Sequence, residues 1–140
     1  MLKVIICGSI SAAEEILTAK KKLEELECEV EIPLGVKNIE LRGRTGVSTE
    51  EKAEDKIKHD LIRGYFEKMK NYDAVLVVNP EKRGVQGYIG GNTLIEMAFG
   101  HVLCKKLYVL NPLPDLPYTA EIMAMQPVVI HGDVLKLTKS

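Results

Sequence analysis

The chain has 140 residues, 46% hydrophobic and 28% charged, which fits one compact domain spanning residues 1–140 and excludes a disordered or collagen-like chain. Nineteen basic against twenty acidic side chains leave a net charge of −1, so bulk charge gives no support to a nucleic-acid polymer as partner. Cys7, Cys28 and Cys104 form no C-x-x-C pair, the histidines are scattered, and no apolar run approaches the ~18 residues of a membrane span. The expectation is a cytoplasmic protein with reduced, buried thiols, no metal and no membrane association.

Taken in chain order, residues 2–7 (LKVIIC) form a short β-branched run that predicts a strand buried on both faces. From Ser11 the apolar positions Ala12, Ile16, Ala19, Leu23 and Leu26 recur at helical spacing, with Ser9 or Ser11 able to cap the start. Residues 28–32 (CEVEI) alternate as an outer strand ending at Pro33, and residues 34–48 read as irregular. A long helix is expected from Ser48-Thr49 to about Asn71, with Ala53, Ile57, Leu61, Tyr65 and Met69 as its apolar stripe. Residues 73–78 (DAVLVV) are the strongest buried-strand signal. A Gly-rich loop and a helix over 92–104 follow, then a strand at 107–110, a short helix over 118–125 and a last strand at 128–130. Strands alternate with helices throughout. This predicts a three-layer α/β/α sandwich around a doubly wound, mostly parallel five-stranded sheet of the Rossmann or flavodoxin-like kind.

In such a sheet ligands bind beyond the carboxyl ends of the strands. Gly8, Ser9 and Ser11 follow the first strand, where a tight turn, hydroxyls and a helix N-terminus suit an anion, or merely turn and cap. Neither G-x-G-x-x-G nor G-K-[ST] occurs, so no dinucleotide or ATP site is indicated. Asn79 and Asn111 end later strands and are candidates for ligand contact, though Asn111 also fits a plain turn before Pro112. The helix over 94–103 is apolar on nearly every side and is expected to be covered all round, with Glu96 as its one carboxylate. Thr93 and Glu96 have the spacing of a capping box, and the same spacing fits a carboxylate at a pocket floor kept ionised by the dipole of the helix's first turn. The loops at 42–46 and 81–91 carry Arg42, Arg44, Lys82 and Arg83 and fit either a lid or a solvated surface. Asp73, opening its strand, is expected at the amino edge in a structural role.

Read together, KVIICGS, DAVLVV and GYIGGNTLIEMAFGHVLCKKLYVLN resemble the nucleoside 2-deoxyribosyltransferase-like superfamily, which includes base-exchanging transferases and deoxynucleoside 5′-monophosphate N-glycosidases. The resemblance spans most of the chain. It implies that Glu96 is the nucleophile at the sugar's anomeric carbon, and that Gly8, Ser9 and Ser11 bind the sugar's 5′ end or its phosphate. It further implies that Gly90, Gly91 and Asn92 of the Gly-rich loop contribute to substrate binding. Such chemistry calls for a second acidic group, for which Asp60, beside the apolar stripe of the long helix, is the first choice against a solvated alternative. The implied partner is a small nucleoside or nucleotide, with no cofactor, in a homodimer or larger homo-oligomer. A nucleotide-binding or sensing module that has lost turnover, and an unrelated flavodoxin-like domain, are the alternatives.

Overall fold

The computed structural model describes residues 1–43 and 60–139, with Arg42 described in its backbone alone. Five strands, β1 (Lys3–Cys7), β2 (Glu29–Glu31), β3 (Ala74–Val77), β4 (Lys106–Val109) and β5 (Val128–Val129), form one all-parallel sheet in the order β2-β1-β3-β4-β5. The described helices are α1 (Ala13–Glu25), α2 (Leu34–Arg42), α3 (Leu61–Met69), α4 (Gly91–Val102), α5 (Thr119–Ala124) and α6 (Leu135–Thr138), with a 3₁₀ turn at Ile10–Ala12 before α1.

Side chains alternate across a strand, so an apolar run with no polar breaks must be covered on both faces. The two cores follow this rule. Val4, Ile6, Ala74, Leu76, Val78 and Tyr108 face one way, against α1, Val36 of α2 and Leu137 of α6. Ile5, Cys7, Val75, Val77, Leu107 and Val109 face the other way, against Tyr65 and Met69 of α3, Met97 of α4 and Ile122 of α5. The result is the expected three-layer α/β fold, with a strand order of the flavodoxin kind. Because β1 leads outward to β2 and the chain then returns to β3, the winding reverses between β1 and β3. Their carboxyl ends define the crevice where such folds bind ligands.

Several elements differ from the sequence expectation. Residues 34–42 are helical, and Gly35 serves a close contact: a Cβ there would lie 2.6 Å from the side chain of Ile10. The long helix expected from Ser48-Thr49 does not run unbroken to Asn71, because Asp60 has left-handed backbone (φ 44°) and caps a helix that starts at Leu61. Ala53, Ile57 and Arg44 lie outside the described residues. Cys7 and Cys28 are buried as expected, whereas Cys104 is exposed. Asp73 accepts the backbone N–H of Lys3 at 2.9 Å, the structural task expected at the amino edge.

Glu31 ties the edge strand to both helical layers. Its side chain, 13% exposed, pairs with Lys37 of α2 and with Lys68 of α3, the latter at 3.2 Å. Burial opposes its charge, but the hydrogen bonds and charges of Lys37 and Lys68 outweigh that and hold the carboxyl below its ordinary range. A carboxyl depressed in the fold contributes stability that is complete above its unfolded pKa and lost as pH falls through the folded value. Glu31→Gln should therefore cost about 2 kcal/mol at neutral pH, shrinking towards zero below about pH 4. Urea denaturation of both proteins across that range checks this, and a difference that does not change with pH would contradict it.

Candidate active site at the carboxyl ends of β1 and β3

All strands being parallel, the segments after β1, β3 and β4 emerge at one edge of the sheet. After β1 come Gly8 and Ser9. Gly8 is buried, and a Cβ there would sit 3.0 Å from both the Ile16 side chain and the Val78 carbonyl, so close packing selects this glycine. The hydroxyls of Ser9 and Ser11 lie 2.6 Å apart. Ser9 is the N-cap residue of the 3₁₀ turn, as expected of one of the two serines, but its hydroxyl makes no capping bond, and the N-cap of α1 itself is Ala12. Both hydroxyls belong to the rim of the edge.

Asn79, directly after β3, is fully buried. Its Nδ2 lies within hydrogen-bonding distance of the carbonyls of Gly87 (3.2 Å), Asn111 (3.2 Å) and Pro112 (3.3 Å), and its Oδ1 accepts the Asn111 N–H at 2.9 Å. Asn111 returns a bond from Nδ2 to the Asn79 carbonyl at 3.1 Å. The pair, expected at a ligand, is occupied in clamping the loops after β3 and β4 together. That clamp sets the path of the Gly-rich loop, as does a 2.5 Å hydrogen bond from the Tyr118 hydroxyl to the Ile89 carbonyl.

The loop delivers α4. Gly90 is its N-cap, without any side-chain hydrogen bond, and Gly91 and Asn92 are exposed in the first turn. Thr93 is already inside the helix, so the capping box expected for Thr93 and Glu96 does not form. Glu96 falls in the second turn, beyond the first-turn reach of the helix dipole that was expected to support its charge. The helix is also not covered all round. Ile95, Ala98 and Val102, spaced to share one face, are exposed, Val102 by 74%.

Glu96 is 8% exposed and, among the described residues, the one charged side chain in the buried class. It lies on α4, which packs against β1, β3 and β4, near the Cys7 thiol at the end of β1. Burial, then the charge of Glu96, then hydrogen bonding to Glu96 push the Cys7 thiol well above its usual range, so it stays protonated. Tyr65 completes the surroundings. Burial, then electrostatic interaction with Cys7 and Glu96, push its hydroxyl well up, and it donates to the carbonyl of Ile6. In the sequence Cys7 and Tyr65 read as core residues, and the place of Cys7 at the end of the first strand is the signal that could have marked it.

Asp60 stands apart from this cluster. It caps α3 by accepting the Arg63 N–H at 3.3 Å and pairs with the Arg63 guanidinium at 2.8 Å, its side chain 51% exposed. Since α3 runs back to the amino end of β3, its cap lies on the carboxyl side of the sheet. Two open clefts lie elsewhere. One, of about 370 Å³, runs between α1 and the segments after β4 and β5; the other, of about 500 Å³, is at the amino edge beside Cys28 and Asp73. Among the described residues no group of three or more His, Cys, Asp or Glu is arranged to hold a metal, and no helix is long and apolar enough to cross a membrane.

The fold and this edge define a parallel α/β protein with a buried carboxylate at its topological switch point. No family model matches the chain, and no curated protein matches it.

Proposed function

We propose that the protein cleaves or exchanges the N-glycosidic bond of a deoxynucleoside, nucleoside or nucleoside 5′-monophosphate, with Glu96 as nucleophile. The single observation that carries this reading is a carboxylate buried at the switch point, on a helix that does not use it as a cap. Burying a carboxylate costs several kcal/mol unless partners compensate it, and buried carboxylates at a sheet's ligand-binding edge are candidates for function.

The chemistry follows from the residue types. A Glu96 oxygen attacks C1′ of the sugar, the bond from C1′ to the base nitrogen breaks, and its electron pair leaves with the base, which takes up a proton. The resulting glycosyl ester is opened at C1′ by water or by a second base, and the carboxylate is restored. Gly8, Ser9 and Ser11 at the rim hold the sugar's 5′ end or phosphate, and Gly90, Gly91 and Asn92 line the opposite side. Asp60 is the second acidic group. Paired with the Arg63 guanidinium, it is offered as an acceptor for a sugar hydroxyl. No metal or cofactor enters these steps.

The exposed stripe of Ile95, Ala98 and Val102, with Ile62 exposed on α3, supports assembly as a homodimer or larger oligomer through this layer. The free thiols fit a cytoplasmic setting. The test is incubation with each 2′-deoxynucleoside and its 5′-monophosphate, followed by chromatography for free base. Base release supports the reading. Tight nucleotide binding without release would favour a sensing module, and neither binding nor release would end both.

A further inference from the structure

Asn79, Thr93 and Glu96 are the buried polar or charged residues among those described. Asn79 is spent on the loop clamp and Glu96 is assigned to the reaction, which leaves Thr93. It lies in the first turn of α4, 5% exposed, and no described residue hydrogen-bonds its hydroxyl. A threonine inside a helix ordinarily bonds its hydroxyl to a carbonyl three or four residues back. Here those carbonyls are taken: that of Ile89 receives the Tyr118 hydroxyl at 2.5 Å, and that of Gly90 receives the Leu94 N–H at 2.9 Å. A buried hydroxyl without a partner is destabilising, and one kept in a fold calls for a reason.

Its position supplies the reason. As the crossover between two parallel strands, α4 runs back along β3, and Gly100 lies on Val75, where a Cβ would come within 3.0 Å of that side chain. Thr93 shares the helix face of Gly100. Seven residues of helix span about 10 Å, or roughly three residues of strand, so Thr93 falls beyond Val77 at the carboxyl end of β3. Glu96, three positions on, is its neighbour on the helix surface. The chemistry then fixes what such a neighbour meets. In-line displacement brings the carboxylate to the sugar face opposite the base, and in a β-nucleoside that face carries the 3′ hydroxyl.

We propose that Thr93 is a substrate-binding residue whose hydroxyl pairs with the 3′ hydroxyl of the sugar; this rests on the glycosyl-transfer reading above and adds a residue to it. Both groups are hydroxyls, so either donates. The contact forms no covalent bond and leaves the proton balance of the reaction unchanged.

Two measurements test this. Thr93→Val keeps the shape of the side chain and removes the hydroxyl, so the unliganded variant should melt no lower than the wild-type protein. A clear fall in Tm would show that the hydroxyl serves the fold and would overturn the proposal. The second is calorimetric titration with a 2′-deoxynucleoside 5′-monophosphate and with its 2′,3′-dideoxy analogue, done in Glu96→Gln protein so that no base is lost. With Thr93 present the first compound should bind about tenfold more tightly than the second. Added Thr93→Val should bring both to the weaker affinity, and added Thr93→Ser should keep most of the preference. Equal binding with Thr93 present, or a preference that survives Thr93→Val, overturns the proposal whether or not the wild-type protein turns over. A preference that Thr93→Val abolishes, in a protein whose wild type releases no base, removes the glycosyl-transfer reading and keeps the contact. Base release by the wild type with affinities indifferent to Thr93→Val does the reverse. A protein that binds neither compound loses both.

Discussion

Glu96→Gln should lower base release by roughly 10³-fold or more while leaving the fold intact. The wild-type side chain is a carboxylate buried in the second turn of α4. Gln has nearly the same shape and keeps a hydrogen-bond acceptor at that place, so Tm should stay within a few degrees of the wild-type value. The nucleophile is lost at the same time, because an amide oxygen cannot displace the base and then depart as a carboxylate. Thermal melts and a base-release assay on the two proteins check both expectations. A large loss of stability with activity unchanged would mean that the charge serves the fold instead.

Asn79→Ala should cost about 3 kcal/mol, a fall in Tm of about 10 °C. The expectation comes from what the substitution leaves behind: three loop carbonyls and the Asn111 N–H lose a fully buried partner, and water does not replace it without opening the clamp. Asn79→Asp, nearly isosteric, should be at least as damaging, because it sets an oxygen in place of the nitrogen that faces those carbonyls. Asn111→Ala should cost only about 1 kcal/mol, since the Asn111 backbone keeps its bonds to Asn79. Because the clamped loop leads to Gly90 and α4, the same variants should impair whatever chemistry Glu96 performs. Asn79→Ala with an unchanged melting point would show that the clamp is dispensable.

The layered sheet was legible in the sequence because its central strands are nearly uniform. Residues 3–7 and 74–78 carry apolar side chains at almost every position, and only burial on both faces accommodates that. Segments where one residue type serves two purposes were not legible. Gly35 reads as loop punctuation but is the small residue that lets α2 approach Ile10, so a helix was missed. Asp60 sits in a continuous helical pattern, yet its backbone is left-handed and it caps the helix that starts at Leu61. Among candidate site residues, Glu96 stood out as a lone carboxylate in an apolar helix, which survives in the fold as a buried charge. Asn79 and Asn111 were located correctly at the strand ends. Their occupation with each other is a tertiary fact, set by which two loops happen to be neighbours, and no local pattern encodes it.

Covalent participation by Glu96 is tested most directly by mass spectrometry after rapid acid quench of a reaction with 2′-deoxynucleoside 5′-monophosphate. Peptide mapping should find the mass of the sugar phosphate on Glu96 in the wild-type protein and on no peptide of Glu96→Gln. Free base accumulating with the protein unmodified at every quench time, or the adduct on another residue, would contradict it.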